Sequence, residues 1–244
     1  MQTSLSLLMA TGTIENILRK YRQTFFPVIS FNPSSEKLLK MDFTKNNINL
    51  AEGILKNTNL FSLYINQLLE KNNCKYGIGG YLEHRDIYSV SKVFDAATQN
   101  DEPRRIHLGI DIWAPAGTPV YAFMGGMVHS FAFNNSYGDY GATLILLHQL
   151  DSISFYTLYG HISLADIENI EAGNYMVRGQ QIASLGQPNE NGGWPPHLHV
   201  QVIAEMGMNR GDYPGVCAVS EKEKYATNCP NPDLILQMMQ YANE

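Results

Sequence analysis

The chain has 244 residues, 44% of them hydrophobic and 16% charged, with a formal net charge of −6. A chain this long and apolar can bury roughly 70–75% of its unfolded surface, which excludes intrinsic disorder. With 17 Lys+Arg against 23 Asp+Glu there is no basic footprint, so nucleic-acid binding is excluded as the main function.

The low charge, 14 Tyr and 20 Gly point to a compact, turn-rich, β-heavy protein. Cys74, Cys217 and Cys229 are too few for a disulfide framework. They read as buried thiols with at most one bridge, Cys217–Cys229. No stretch approaches the roughly 20 apolar residues of a membrane span. The segment from Met1 to Ala10 lacks a basic n-region, and its apolar run is shorter than a secretory h-region. Cytoplasm is therefore the default compartment. Oligomeric state is not legible.

Residues 1–75 read as a helical N-terminal extension. Thr13 is placed to cap a helix carrying Ile14, Leu18 and Tyr21 on one face. Phe61, Tyr64, Ile65, Leu68 and Leu69 form a second amphipathic stripe, with Pro27 and Asn32-Pro33 between the two. From Tyr76 to residue 206 the texture changes to short β-type runs punctuated by Gly, Pro and Asn. Thr143–His148 and Ser152–Tyr159 pair as a hairpin across Gln149-Leu150-Asp151. Residues 207–244 form a tail ending in a helix over Asp233–Met239, capped by Asn231 or Asp233, with Pro232 in its first turn. The fold class is mainly β, α+β overall, built on an antiparallel sheet.

Chemistry concentrates in histidines. His107-Leu108-Gly109-Ile110-Asp111 holds two good Zn²⁺ ligand types, but Gly109, Ile110 and Ile112 argue against a helix. On an extended strand positions 107 and 111 stand roughly 13 Å apart, too far for one metal. The chain must therefore bend, with Gly109 supplying the freedom. His197 and His199 share one face of a strand, their Cα atoms roughly 6.5–7 Å apart. Either both ligate one ion, or one ligates beside the other. Two His and one Asp leave a fourth position open, the catalytic rather than structural zinc pattern, although Mn²⁺, Fe²⁺ or Co²⁺ also suit such donors. His129 and His148 read as satisfied core residues, and His84 as a surface or groove residue.

Together with Tyr159-Gly160-His161, the segments His107–Asp111 and His197-Leu198-His199 resemble the three motifs of the lysostaphin/LytM-type zinc metallopeptidases, a peptidoglycan endopeptidase family. Trp113-Ala114-Pro115-Ala116-Gly117-Thr118-Pro119-Val120, Gly80-Tyr81-Leu82-Glu83-His84-Arg85 and Val177–Gly186 are similar to further blocks of that family. The resemblance covers roughly residues 76–205. It implies an antiparallel β-sheet groove in which His107, Asp111 and His199 bind Zn²⁺, with His161 and His197 as catalytic residues beside the open position. It further implies hydrolysis of a peptide bond in peptidoglycan stem or cross-bridge peptides. Asn191-Gly192-Gly193-Trp194-Pro195-Pro196 departs from the small hydroxyl residues usual before the His-x-His, and Trp194 is placed to line the groove. Two other functions compete. One is an intracellular zinc hydrolase acting on a non-wall amide, favoured by the N-terminus. The other is a degenerate module that binds peptidoglycan or activates a partner, disfavoured because all five motif residues are present.

Overall fold

The computed structural model describes residues 13–50, 52–96, 98 and 101–243. The expectation for Met1 to Ala10 lies outside the described residues. Thirteen strands occur among them: β1 (Leu38–Lys40), β2 (Tyr76–Gly79), β3 (Ile106–His107), β4 (Ile110–Trp113), β5 (Pro119–Tyr121), β6 (Gly126–Asn134), β7 (Gly141–Leu150), β8 (Ile153–Ile162), β9 (Tyr175–Met176), β10 (Gln181–Ser184), β11 (His197–Ile203), β12 (Val216–Cys217) and β13 (Ala242–Asn243). Nine of them form one sheet in the order β13-β1-β2-β4-β11-β8-β7-β6-β9, while β10–β5 and β12–β3 are separate pairs.

Between β2 and β9 every pairing in this sheet is antiparallel. The hairpin is present as β7–β8, longer than the sequence indicates and turning at Asp151, whose φ is 50°. At the far edge β1 runs parallel to both β2 and β13. A parallel pair needs a crossover of a dozen or more residues. The chain between β1 and β2 provides one, containing α2 (Glu52–Leu55) and α3 (Thr58–Lys71). The N-terminal segment is thus a strand and helices that extend the sheet. In α3 the Asn57 side chain accepts from the Asn59 and Leu60 amides, and Phe61, Ile65 and Leu69 are buried at four-residue spacing. Residues 13–21 form α1, with Thr13 already inside it rather than preceding it as a cap.

The main core lies on one face of the sheet. Ile110, Ile112, Leu144, Leu146, Tyr159, Leu198 and Val200 point there, covered by Ile14 and Leu18 of α1 and by Val120 and Ile182 of the β5–β10 pair. The opposite face carries the functional groove. It is flanked by one cluster holding Phe43, Phe61, Trp113 and Trp194, and another holding Tyr140, Ile145, Leu158 and Ile203.

At the C-terminus the helix is shorter than the sequence suggests. After α4 (Lys222–Asn228), α5 spans only Asp233–Leu236 and ends at Gln237 in the left-handed region, φ 54°. Asp233 Oδ1 accepts from the Met238 and Met239 amides, which closes the turn and lets the chain re-enter the sheet as β13. All three cysteines are free, so Cys217 and Cys229 are buried thiols without the bridge the sequence allowed. No helix of the described residues is long and apolar enough to cross a membrane.

Candidate metal centre and catalytic groove

Strand register gathers the site. On β11 the odd residues His197, His199 and Gln201 face the groove, while Leu198, Val200 and Val202 enter the main core. His199 lies directly opposite Asp111 on one side and Gly160 on the other, and His197 lies opposite Trp113. His107 arrives differently, from the separate β3–β12 pair, where it sits opposite Val216. The chain does break between His107 and Asp111, but Gly109 serves by being small. A Cβ there would stand 2.5 Å from His199 Cε1 and 2.7 Å from the Val200 carbonyl, and its φ is not in the left-handed region.

His161 reaches the groove through a bulge. On β8 Tyr159 faces the core and Leu158 the groove-side cluster, so strict alternation would send residue 161 into the core. The β7–β8 register instead slips between Ala142 and Thr143: Thr143 opposes Gly160 and Ala142 opposes Ile162. His161 is the extra residue, with φ 62°, a strained value for a non-glycine side chain. The slip turns His161 to the groove and returns Ile162 to the core.

His107 Nε2, His199 Nδ1 and Asp111 Oδ1 form a small triangle. The edges are 2.9 Å between the imidazoles, 3.2 Å from His107 to Asp111 and 3.0 Å from His199 to Asp111. All three residues are buried. Each is held from outside. His107 Nδ1 is 2.9 Å from the Gly80 carbonyl and His199 Nε2 is 3.0 Å from Gln201 Oε1, while Asp111 Oδ2 accepts from Arg85 Nη1. A neutral imidazole has one N–H. With both N–H groups directed outward to oxygen acceptors, three lone pairs converge on one point with no proton between them. A cation at that point resolves the repulsion. Ligands about 2.0–2.2 Å from a tetrahedral ion stand roughly 3.3–3.6 Å apart, so the triangle's edges need to open by only a few tenths of an ångström. The donor set thus fits a divalent metal of the zinc type.

Electrostatics agree. Burial, followed by the Arg85 charge, pushes His107 down to about 3, so it stays neutral as a ligand must. Burial works against the Asp111 carboxylate, but the Arg85 guanidinium beside it holds it well below the usual range. Arg85, 1% exposed, also binds Glu83 Oε2 at 2.6 Å and meets the Tyr88 hydroxyl at 3.2 Å.

The remaining two histidines stand together beside the triangle, ring centroids 4.1 Å apart. His161 Nδ1 donates to the Asn191 carbonyl at 2.8 Å and His197 Nδ1 to the Pro195 carbonyl at 2.7 Å, leaving each Nε2 as a base. Burial lowers both, with His197 and His199 adding to the effect at His161. The groove has a cavity of about 160 Å³. Trp194 lines it, with Tyr88, Phe94 and Phe61, the last contributed by α3. Thr58 of the same helix donates to the Gly193 carbonyl at 2.6 Å.

His148 and His129 lie outside the groove. His148 is buried between the Gly125 carbonyl and the Thr157 hydroxyl, whereas His129 is partly exposed beside Ser130. His84 is an exposed partner of Asp86. Sequence reasoning missed the supporting roles of Arg85 and Gln201, although Arg85 stands in the family-like block that begins at Gly80 and Gln201 continues the two-residue period of His197 and His199.

A buried carboxylate and two imidazoles aimed at one point, with two more imidazoles beside them in an open groove, form an arrangement suited to metal-assisted hydrolysis. Residues 105–211 match the model of peptidase family M23, and over this segment the chain resembles M23 peptidases. The chain is similar to the peptidoglycan DD-endopeptidase ShyC of Vibrio cholerae, 29% identical over 119 residues that cover 45% of this chain and 25% of that protein. It is also similar to the L-Ala–D-Glu endopeptidase of Bacillus subtilis, 29% identical over 115 residues, 45% of this chain and 33% of that protein. The match to the catalytic domain of lysostaphin from Staphylococcus simulans has 20% identity and a TM-score of 0.37, covering 67% of this chain and 97% of that one. The matched regions span a quarter to a third of the two curated relatives.

Proposed function

We propose that this protein is a zinc-dependent metalloendopeptidase that hydrolyses a peptide bond in peptidoglycan stem or cross-bridge peptides. The observation that carries the reading is the triangle of three inward lone pairs, each oriented by an outer partner. His107, Asp111 and His199 would hold the ion. A zinc ion bound there supplies Lewis acidity, lowering the pKa of a water molecule to about 7 and polarising the scissile carbonyl.

The chain's own residues do the rest. His161 and His197 present Nε2 lone pairs beside the ion site, so one takes the proton of the attacking water, and the imidazolium so formed, with the second ring beside it, faces the developing oxyanion. The proton then passes to the leaving amine. The Pro195 and Asn191 carbonyls fix both rings in the tautomer this needs. The aromatic wall of Tyr88, Phe94 and Trp194 shields the groove from water and provides apolar contact for a peptide. Residues 76–206 are the catalytic domain in this reading, with 1–75 and 207–244 as flanking segments. The peptidoglycan substrate is drawn from the endopeptidase names of the two curated relatives.

Mass spectrometry of products from purified muropeptides tests the proposal. Cleavage that stops with a chelator and returns with zinc is expected. Intact muropeptides with zinc-loaded protein would count against it.

A further inference from the structure

Gln201 is fully buried two residues beyond His199 on the same face of β11. Its carboxamide nitrogen donates to the Pro214 carbonyl at 3.1 Å and to Cys229 Sγ at 3.2 Å. The Pro214 carbonyl can only accept, so the NH₂ end of the carboxamide must face it. The oxygen end is thereby turned toward His199, 3.0 Å from Nε2, with the Tyr140 hydroxyl donating to the same oxygen at 3.5 Å. An oxygen at that place requires a proton on His199 Nε2, which leaves the Nδ1 lone pair toward Asp111 and His107.

We propose that Gln201 is the positioning residue that fixes which ring nitrogen His199 presents to the metal. The segment 214–229, beyond the family match at 105–211, sets the orientation of Gln201. The inference rests on the metal-site reading above. The same segment also steadies the other imidazole of the triangle. Val216 pairs with His107 across β12–β3, the Gly215 carbonyl accepts from the Leu108 amide at 2.8 Å, and the Cys217 carbonyl accepts from the Arg105 amide at 2.9 Å. Two of the three ligand residues therefore owe their geometry to chain that follows the matched domain. Outer partners of metal-bound histidines fix tautomer and ring orientation, and losing one typically weakens metal affinity by about 10–100-fold.

The test uses the full chain. Long-range proton–nitrogen NMR of ¹⁵N-labelled, metal-free protein reads the His199 tautomer directly, and a competition titration reads zinc affinity. The wild type should show a single Nε2–H form of His199. Gln201→Met, similar in size but without the oxygen, should show mixed tautomers and zinc affinity lower by about 10–100-fold. A wild-type His199 protonated at Nδ1 would overturn the proposal without recourse to any variant. So would a Gln201→Met protein that keeps both the single tautomer and wild-type affinity. Wild-type protein that takes up no zinc would defeat the peptidase reading alone, since the tautomer is read without metal.

Discussion

Replacing Arg85 with Met removes the buried guanidinium while keeping most of the side chain's apolar bulk. The guanidinium is 1% exposed and joins Asp111, Glu83 and the Tyr88 hydroxyl in the interior behind the metal triangle. Without it, Asp111 is a buried carboxylate whose only close partners are two neutral imidazoles. Removing one member of a buried ion pair typically costs about 3–5 kcal/mol, because the other charge stays desolvated and unpaired. Set against a total stability of about 5–15 kcal/mol, that is a large fraction. With a urea m-value of about 2–3 kcal/mol/M, the unfolding midpoint of metal-free protein should fall by roughly 1–2.5 M. Saturating zinc should narrow the deficit, since a divalent cation beside Asp111 replaces part of the lost positive charge. Asp111→Asn placed on the Arg85→Met background should recover stability by removing the stranded charge. Equilibrium urea unfolding of the four proteins of this cycle, without and with zinc, provides the assay. An Arg85→Met variant within about 1 kcal/mol of the parent, or a double variant no more stable than the single, would refute the reasoning.

His161→Ala should retain zinc but lose about 10²–10⁴-fold in cleavage rate, whereas His107→Ala should lose zinc; metal content and muropeptide turnover of the two proteins separate the roles. Gly109→Ala places a methyl 2.5 Å from His199 Cε1, so its zinc affinity should fall in a competition titration although the substitution lies outside the ligand set. Gly160→Ala would meet Tyr140 Cδ1 at 2.6 Å and should reduce turnover with zinc content unchanged. His148, held down to about 4 by burial, reports on pH away from the groove. Above its unfolded value near 6.5 both states are neutral; as pH falls from 6.5 to 4 only the unfolded chain binds the proton. Stability should therefore drop across that window by up to roughly 3 kcal/mol from this residue, and unfolding midpoints of His148→Gln against pH should show a shallower decline.

The β11 strand was the most legible part of the protein, because a period of two puts His197 and His199 on one face whatever surrounds them. The same parity reaches Gln201, but its role depends on Pro214 and Cys229, which only the tertiary fold brings near. His161 was legible as a motif residue and not as geometry. Nothing local in Tyr159-Gly160-His161 announces that the register slips there, and unbroken alternation would bury the ring in the core. Gly109 was recognised for flexibility, whereas the limiting quantity is the approach of the His199 ring. The Arg85–Asp111 contact spans 26 residues and links two segments with no shared periodicity. In the N-terminal segment the helical stripe of α3 was visible, but Leu38-Leu39-Lys40 is too short to mark a strand by pattern. It becomes β1 because two neighbouring strands, one from the far C-terminus, offer it backbone partners.

Titration of metal-free protein with zinc tests the central claim most directly, because the triangle is built of three lone pairs that need a cation between them. One equivalent taken up by the wild type, and by His161→Ala, with none retained by Asp111→Asn or His107→Ala, is the predicted result. A folded wild-type chain that takes up no zinc, or takes it up equally well without His107 and Asp111, would contradict the account.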